Sequence, residues 1–186
     1  MSEYANPTNA NVWLDGDAFR GAPGIEPPAD FFAKTIENML AYGGVEAGFN
    51  ITTEQSVTKK KVFNYRQSAY KVTRDPLDEG VTFRAVDDNE ATRLTRAMGG
   101  KVTIVDGRYR LEKGDGEEFS FLLRLDDGED DMALWCPRAA LSSAPTRAAI
   151  DGQTIDGWEF ALTFLEKPIE ILPGKPTSEE IAAAGS

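Results

Sequence analysis

Apolar and aromatic residues alternate with polar ones along most of this chain. Gly, Pro, Asp or Asn interrupts the alternation every eight to twelve residues. A period of two puts successive side chains on opposite faces of a strand, and turn signals at this spacing are the rhythm of an all-β sandwich or barrel. The clearest strand is Val81-Thr82-Phe83-Arg84-Ala85-Val86. The run Trp158-Glu159-Phe160-Ala161-Leu162-Thr163-Phe164 alternates well enough for a central strand. Residues 48–53 and 57–74 continue the pattern through Phe49, Ile51, Val57, Phe63, Tyr65, Tyr70 and Val72, and Asp75-Pro76 stops it. Residues 118–125 and 132–136, joined by Asp126-Asp127-Gly128, read as two more strands, with 137–145 as a connection. Residues 146–150, Asp151-Gly152 and 157–165 close the set.

Two Asp-Gly pairs predict tight hairpins, because a two-residue type I′ turn needs positive φ at both positions. Asp15-Gly16 would join 11–14 to 17–20, and Asp106-Gly107 would join 101–105 to 108–112. One helix is predicted. Asn89 stands as its N-cap, Glu90 opens its first turn, residues 91–98 carry it and Gly99-Gly100 ends it. Leu94 and Met98, four apart, would form its apolar edge. Phe31, Phe32, Ile36, Met39 and Leu40, within 29–40, can share a second helical face. Pro- and Gly-containing ends predict an N-terminal arm (1–10) and a C-terminal tail (173–186) around one domain (11–172). The expected fold class is therefore mainly β: an antiparallel β-sandwich or partial barrel with one short flanking α-helix and extended terminal arms.

Composition removes most chemistry. The 186 residues hold no histidine, which excludes imidazole as base, acid or metal ligand. The single cysteine, Cys136, forms no internal disulfide and leaves too few soft ligands for structural zinc. With Trp135 beside it, Cys136 reads as a packing residue. No apolar run approaches the roughly 18 residues of a membrane helix, and residues 1–10 lack a signal-peptide pattern. No phosphate-cradling Gly-rich motif occurs. The cluster Asp126, Asp127, Glu129, Asp130 and Asp131 lacks the order of a calcium loop and reads as a solvated turn. With 31 acids, close carboxylate pairs arise by chance and do not indicate a glycosidase. The expectation is a protein that is not an enzyme and takes no cofactor or metal.

Charge is segregated. The formal net charge is −11, which disfavours wrapping nucleic acid. Yet between Glu54 and Arg74 stand six bases, Lys59, Lys60, Lys61, Arg66, Lys71 and Arg74, against Glu54 alone. Between Glu112 and Asp131 stand nine acids against Lys113 and Arg124. Complementary patches on one chain permit a heterologous contact between copies, which closes into rings or grows as a filament. Tyr65 and Tyr70 among the bases could instead stack single-stranded nucleic acid, a reading the acidic balance disfavours.

The order of elements resembles that of phage major tail tube proteins from long, non-contractile, siphophage-type tails. The matching pieces are Asn11-Val12-Trp13-Leu14-Asp15-Gly16, the stretches 42–51 and 54–63, the strand 81–86 with Asn89-Glu90-Ala91-Thr92, and the strand 158–164. They span about residues 10–170. The resemblance implies a β-sandwich flanked by one helix, whose copies form hexameric rings that stack into a tube. Each subunit's strands would continue its neighbour's sheet, and loops and arms would tie ring to ring. It also implies a tape-measure protein in the bore, tail terminator and baseplate or tip proteins at the ends, and DNA passing without specific binding. The product would be a virion tail assembled in the host cytoplasm, with no membrane partner. No catalytic residue carries over. The alternative is a β-sandwich binding module, such as a virion decoration or host-surface adhesion protein.

Overall fold

The structure, a computed structural model, describes residues 10–61 and 69–174. From β1 (Asp15–Gly21) the chain runs through β2 (Met39–Ala41), β3 (Val45–Glu54), β4 (Val57–Lys60), β5 (Lys71–Arg74) and β6 (Asp78–Ala85) to α1 (Glu90–Ala97). Then follow β7 (Lys101–Val105), β8 (Arg108–Glu112), β9 (Glu118–Asp126), β10 (Asp131–Leu141), β11 (Thr146–Arg147), β12 (Trp158–Phe164) and β13 (Ile169–Ile171). Nine strands form one antiparallel sheet in the order β2-β1-β9-β10-β12-β6-β3, with β11 beside β12 and β13 beside β10. The pairs β4–β5 and β7–β8 stand apart as two-stranded hairpins. Among the described residues the fold is mainly antiparallel β with one helix, as the alternation and the Asn89 cap predict. Its barrel character comes from a single sheet curling back on itself. β1 approaches β3 so closely that a Cβ on Gly16 would lie 2.9 Å from Phe49 Cε2 and 2.8 Å from Leu125 Cδ2.

The period of two builds a core on each face. Ala18, Leu123 and Leu134 are in register and point into the curl, with Phe83, Phe121, Cys136 and Phe160 around them. The Phe83 ring lies 5.0 Å from Tyr42 and 5.7 Å from both Phe121 and Phe160. One residue along, Phe19, Leu122 and Trp135 are in register on the opposite face, where Ile25, Phe31, Ile36 and Met39 cover them.

α1 begins as predicted, with the Asn89 side-chain oxygen accepting the Thr92 amide at 3.0 Å. It ends at Met98 in the left-handed region, φ 52°, followed by Gly99 at φ 76°. Its buried face is Ala91, Thr92, Thr95 and Ala97, whereas the predicted edge of Leu94 and Met98 is only half-buried. Thr95 explains the polar choice. Its Oγ1 donates to Ala91 O (2.9 Å), so its lone pairs accept Arg20 Nη1 (2.9 Å) and the Tyr42 hydroxyl (2.7 Å). The Arg20 guanidinium also pairs with Glu117 at 3.0 Å and lies over the Phe119 ring. Full burial pushes the Tyr42 hydroxyl up to about 12, against the opposing pull of Arg20.

Three expectations fail, each for a physical reason. Asp15-Gly16 is no turn but the start of β1, in register with Asp126 and Leu125. This register buries Ala18 and Phe19 on opposite faces, and Gly16 lets the ends of the Phe49 and Leu125 side chains pack close over β1. Residues 29–40 form no helix. Asp30 accepts the Phe32 amide in an Asx turn (2.9 Å), Phe31 and Ile36 cover the outer sheet face from an irregular loop, and Met39 and Leu40 belong to β2, with Leu40 packed on the inner core. The stretch after Cys136 is not yet connection. β10 continues to Leu141 across a bulge between Cys136 and Ala139. Pro137 has no N–H to leave unpaired there, and its carbonyl accepts the Gly24 amide (2.9 Å). The predicted strand 146–150 shortens to Thr146–Arg147.

Candidate functional site

Curling leaves two sheet margins facing each other without joining. Among the described residues β3 pairs only with β6, so the other edge of its ten residues is open. β2 covers β1 only over Phe19–Gly21, so the Asp15–Asp17 part of that edge is open too. Between them runs a groove of about 360 Å³ lined by Trp13, Leu14, Gly16, Val45, Phe49 and Ile51. The Leu14 amide bonds to Asp126 O (2.9 Å), which holds 11–14 along this margin with Val12 and Leu14 about three-quarters exposed. Unpaired main-chain groups beside exposed apolar side chains make a template for another strand. A bulge between Glu46 and Phe49, with Gly48 at φ 75°, bends the open strand β3.

The β3–β6 ribbon continues into an arm. The Asp75 amide bonds to Ser56 O (3.0 Å) and Gln55 Nε2 to Asp75 O (2.9 Å), linking the ribbon to β4–β5. All eight residues of β4 and β5 are exposed. Register puts Val57, Arg74, Lys59 and Val72 on one face, and Thr58, Thr73, Lys60 and Lys71 on the other. Lys60 and Lys71 stand directly opposite each other, a like-charge rung that disfavours the hairpin in isolation. Lys59, Lys60, Lys61, Lys71 and Arg74 make no ion pair among the described residues. The structure thus brings five of the six predicted bases together. Arg66 lies outside the described residues, as do Tyr65, most of the N-terminal arm and most of the C-terminal tail.

The acidic residues divide. Glu117 pairs with Arg20 and Glu118 with Arg138, so both serve the fold. Asp126, Asp127, Glu129, Asp130 and Asp131 form the β9–β10 turn. Asp127 Oδ1 accepts the amides of Glu129 (3.0 Å) and Asp130 (2.7 Å), and Asn11 Nδ2 donates to both Asp127 and Asp130 at 2.9 Å. These bonds fix the conformation of the turn. Among the described residues no three ligand-type side chains converge in a metal-holding group.

The sequence reading missed Asp15 and Asp17 as part of the acidic surface, having placed them in a hairpin. Asp15, Asp126 and Asp131 are in register on three neighbouring strands. With Asp17, Lys34 and Arg124 they line a cleft of about 500 Å³. Arg124 is already committed to Asp17 and to Ala33 O (2.6 Å). Only the cross-strand register, invisible in a linear reading, assembles that row. Cys136 is buried as predicted. Its thiol donates to Arg138 O (3.0 Å), and burial pushes its pKa up, away from reactivity. Among the described residues no helix is long and apolar enough to cross a membrane.

No protein-family model matches the chain. No curated protein matches it either. Among solved structures, it is similar to a chain of the PVC sheath–tube complex of an extracellular contractile injection system in its extended state. The identity is 14%, the TM-score 0.45, and the likeness covers 91% of this chain and 93% of that one. At this identity and TM-score the likeness decides nothing about what the chain does.

Proposed function

We propose that this chain is a structural subunit whose copies join through their open sheet margins into rings that stack as a tail tube. The carrying observation is the pair of facing, unpaired margins on β3 and β1 with the apolar groove between them. Strand pairing between copies would satisfy their main-chain groups and cover Val12, Leu14 and Ile51. The order of sequence elements that resembles siphophage tail tube proteins supports the same reading. So does the absence of histidine, which favours a structural part over a catalyst. Hexameric rings, a tape-measure protein in the bore, terminator and tip proteins at the ends, and DNA sliding past an acidic wall are the specific form proposed. The particle is a virion tail assembled in the host cytoplasm.

Negative-stain electron microscopy and sedimentation of concentrated protein test this. Rings or tubes of uniform diameter are expected. A single monomeric species at every concentration, with or without a tape-measure partner, overturns it.

A further inference from the structure

A two-stranded hairpin with both faces in water is marginal by itself. The β4–β5 arm is such a hairpin, and it also carries the directly opposed Lys60 and Lys71. Nothing among the described residues covers it. Its chemistry narrows the partner. One face carries Lys60 and Lys71 with two threonines. The other carries Lys59 and Arg74 with half-exposed Val57 and Val72. That combination suits an acidic, partly apolar protein surface. The chain owns one: the cleft where Asp15, Asp126 and Asp131 lie in register, with the Phe32 ring and Leu125 in its lining. Its net charge of −11 disfavours nucleic acid as the occupant.

We infer that the β4–β5 arm of one copy docks, through its Lys60–Lys71 face, on the Asp15–Asp126–Asp131 cleft of a second copy. This rests on the assembly reading above and deepens it by naming a side-chain contact that adjoins the strand-pairing margin at Asp15 and extends onto β9 and β10. The Lys60–Lys71 rung is self-repelling in a lone molecule, the four carboxylates of the cleft outnumber its bases Lys34 and Arg124, and the contact relieves both excesses at once. The join is electrostatic and therefore weakens as salt screens it, whereas strand pairing at the margin does not. It is also heterologous, because arm and cleft differ, so it propagates from copy to copy.

Two full-length variants test it: an arm reversal (Lys60→Glu, Lys71→Glu) and a cleft reversal away from the margin (Asp131→Lys). Every substituted position is exposed, so each variant is expected to keep the native near-UV spectrum. Each alone should raise the critical concentration for assembly by at least about tenfold, and mixing the two should restore it. As a second measurement, Lys60→Cys and Asp131→Cys proteins are mixed under oxidation. A covalent heterodimer should form, while an Arg108→Cys partner gives none. The native thiol is buried and stays silent. Assembly that is unchanged by either reversal, with no Lys60–Asp131 cross-link, overturns the arm contact and leaves the assembly reading standing. Absence of any assembly in the unmodified protein overturns both. If the arm reversal abolishes retention of single-stranded DNA yet leaves assembly intact, the arm serves nucleic acid and the proposal fails.

Discussion

The two satellite hairpins, β7–β8 and β4–β5, share a local design and differ in who covers them. β7–β8 closes with Asp106 and Gly107 at φ 52° and 74°, a type I′ turn. It packs on α1, and its Val102–Leu111 pair is half-buried. The chain leaving it is tied down by the Gly114 amide to Ala97 O (2.8 Å) and the Gly116 amide to Met98 O (3.0 Å). The Arg93 guanidinium lies over the Tyr109 ring. β4–β5 has a ladder of four pairs against five, but none of its residues is covered by the described residues. The first hairpin is held by the body of the fold; among the described residues the second is held only where it joins the β3–β6 ribbon.

The comparison breaks most sharply at Gly100, where β7–β8 leaves the helix. A Cβ there would lie 1.9 Å from Glu112 O and 2.6 Å from the Gly114 amide nitrogen. Both are backbone atoms, so the hairpin would have to shift off α1. Gly100→Ala is expected to cost about 3 kcal/mol, a fall in Tm of roughly 10 °C, read by calorimetry. A Tm within about 2 °C of the parent would mean that β7–β8 is as loosely held as the arm.

Next in size is an alkaline effect on the platform beneath β7–β8. Tyr42 holds Thr95 of α1, and its hydroxyl is raised from 10.0 to about 12. Below pH 10 the group is neutral in both folded and unfolded chains and gives no slope. Between pH 10 and 12 the unfolded chain ionises there while the folded one does not, so stability falls with rising pH. The loss amounts to roughly 2–3 kcal/mol for the full shift. Denaturant midpoints should drop across that window in the parent and run flatter in Tyr42→Phe. Parallel curves would mean that Tyr42 titrates normally. Amide exchange should accelerate in β7–β8 more than in β4–β5, since only the first rests on this network.

What could be read from the sequence divides along the same line, between local and distant causes. The β7–β8 hairpin, the Asn89 cap and the central strand β12 were legible because turn chemistry, capping and alternation act over a few neighbours. Asp15-Gly16 is the same dipeptide as Asp106-Gly107, yet it opens a strand. Its glycine answers to Phe49 and Leu125, far away in sequence. Pro137 looked like a stop because the bulge that absorbs it is set by the ladder with β9. Phe31, Ile36 and Met39 suggested a helix because covering a sheet face demands apolar residues but no period. The basic arm was legible because its charges are contiguous. The carboxylate row was not, because Asp15 meets Asp126 and Asp131 only through the register of three strands.

Smaller again is the helix cap. Asn89 accepts the Thr92 amide and donates to Tyr42 O at 2.7 Å, so it joins α1 to the strand beside it. Asn89→Ala is expected to cost about 1 kcal/mol. Its signature is faster exchange in α1 and β7–β8 with the arm unchanged. Equal acceleration in both hairpins would show that the arm, too, leans on the body of the fold.

The smallest effect on the monomer is the most discriminating, because two readings of the arm give it opposite meanings. Lys60 and Lys71 face each other across β4–β5. If the arm's charges served the hairpin, this rung would be its weakest feature, and Lys71→Glu, which makes it an attractive pair, would improve everything the arm does. If they serve a second copy, the same change strengthens the lone hairpin while removing a charge that the carboxylate cleft requires. The expected result is a split in sign. Amide exchange in the monomer's arm should slow by about twofold, a shift typical of one cross-strand pair. The critical concentration for assembly should rise, and the rise should shrink at high salt as the charges are screened. Slower exchange together with easier assembly would mean that order in the arm, rather than its charge, is what a neighbouring copy needs.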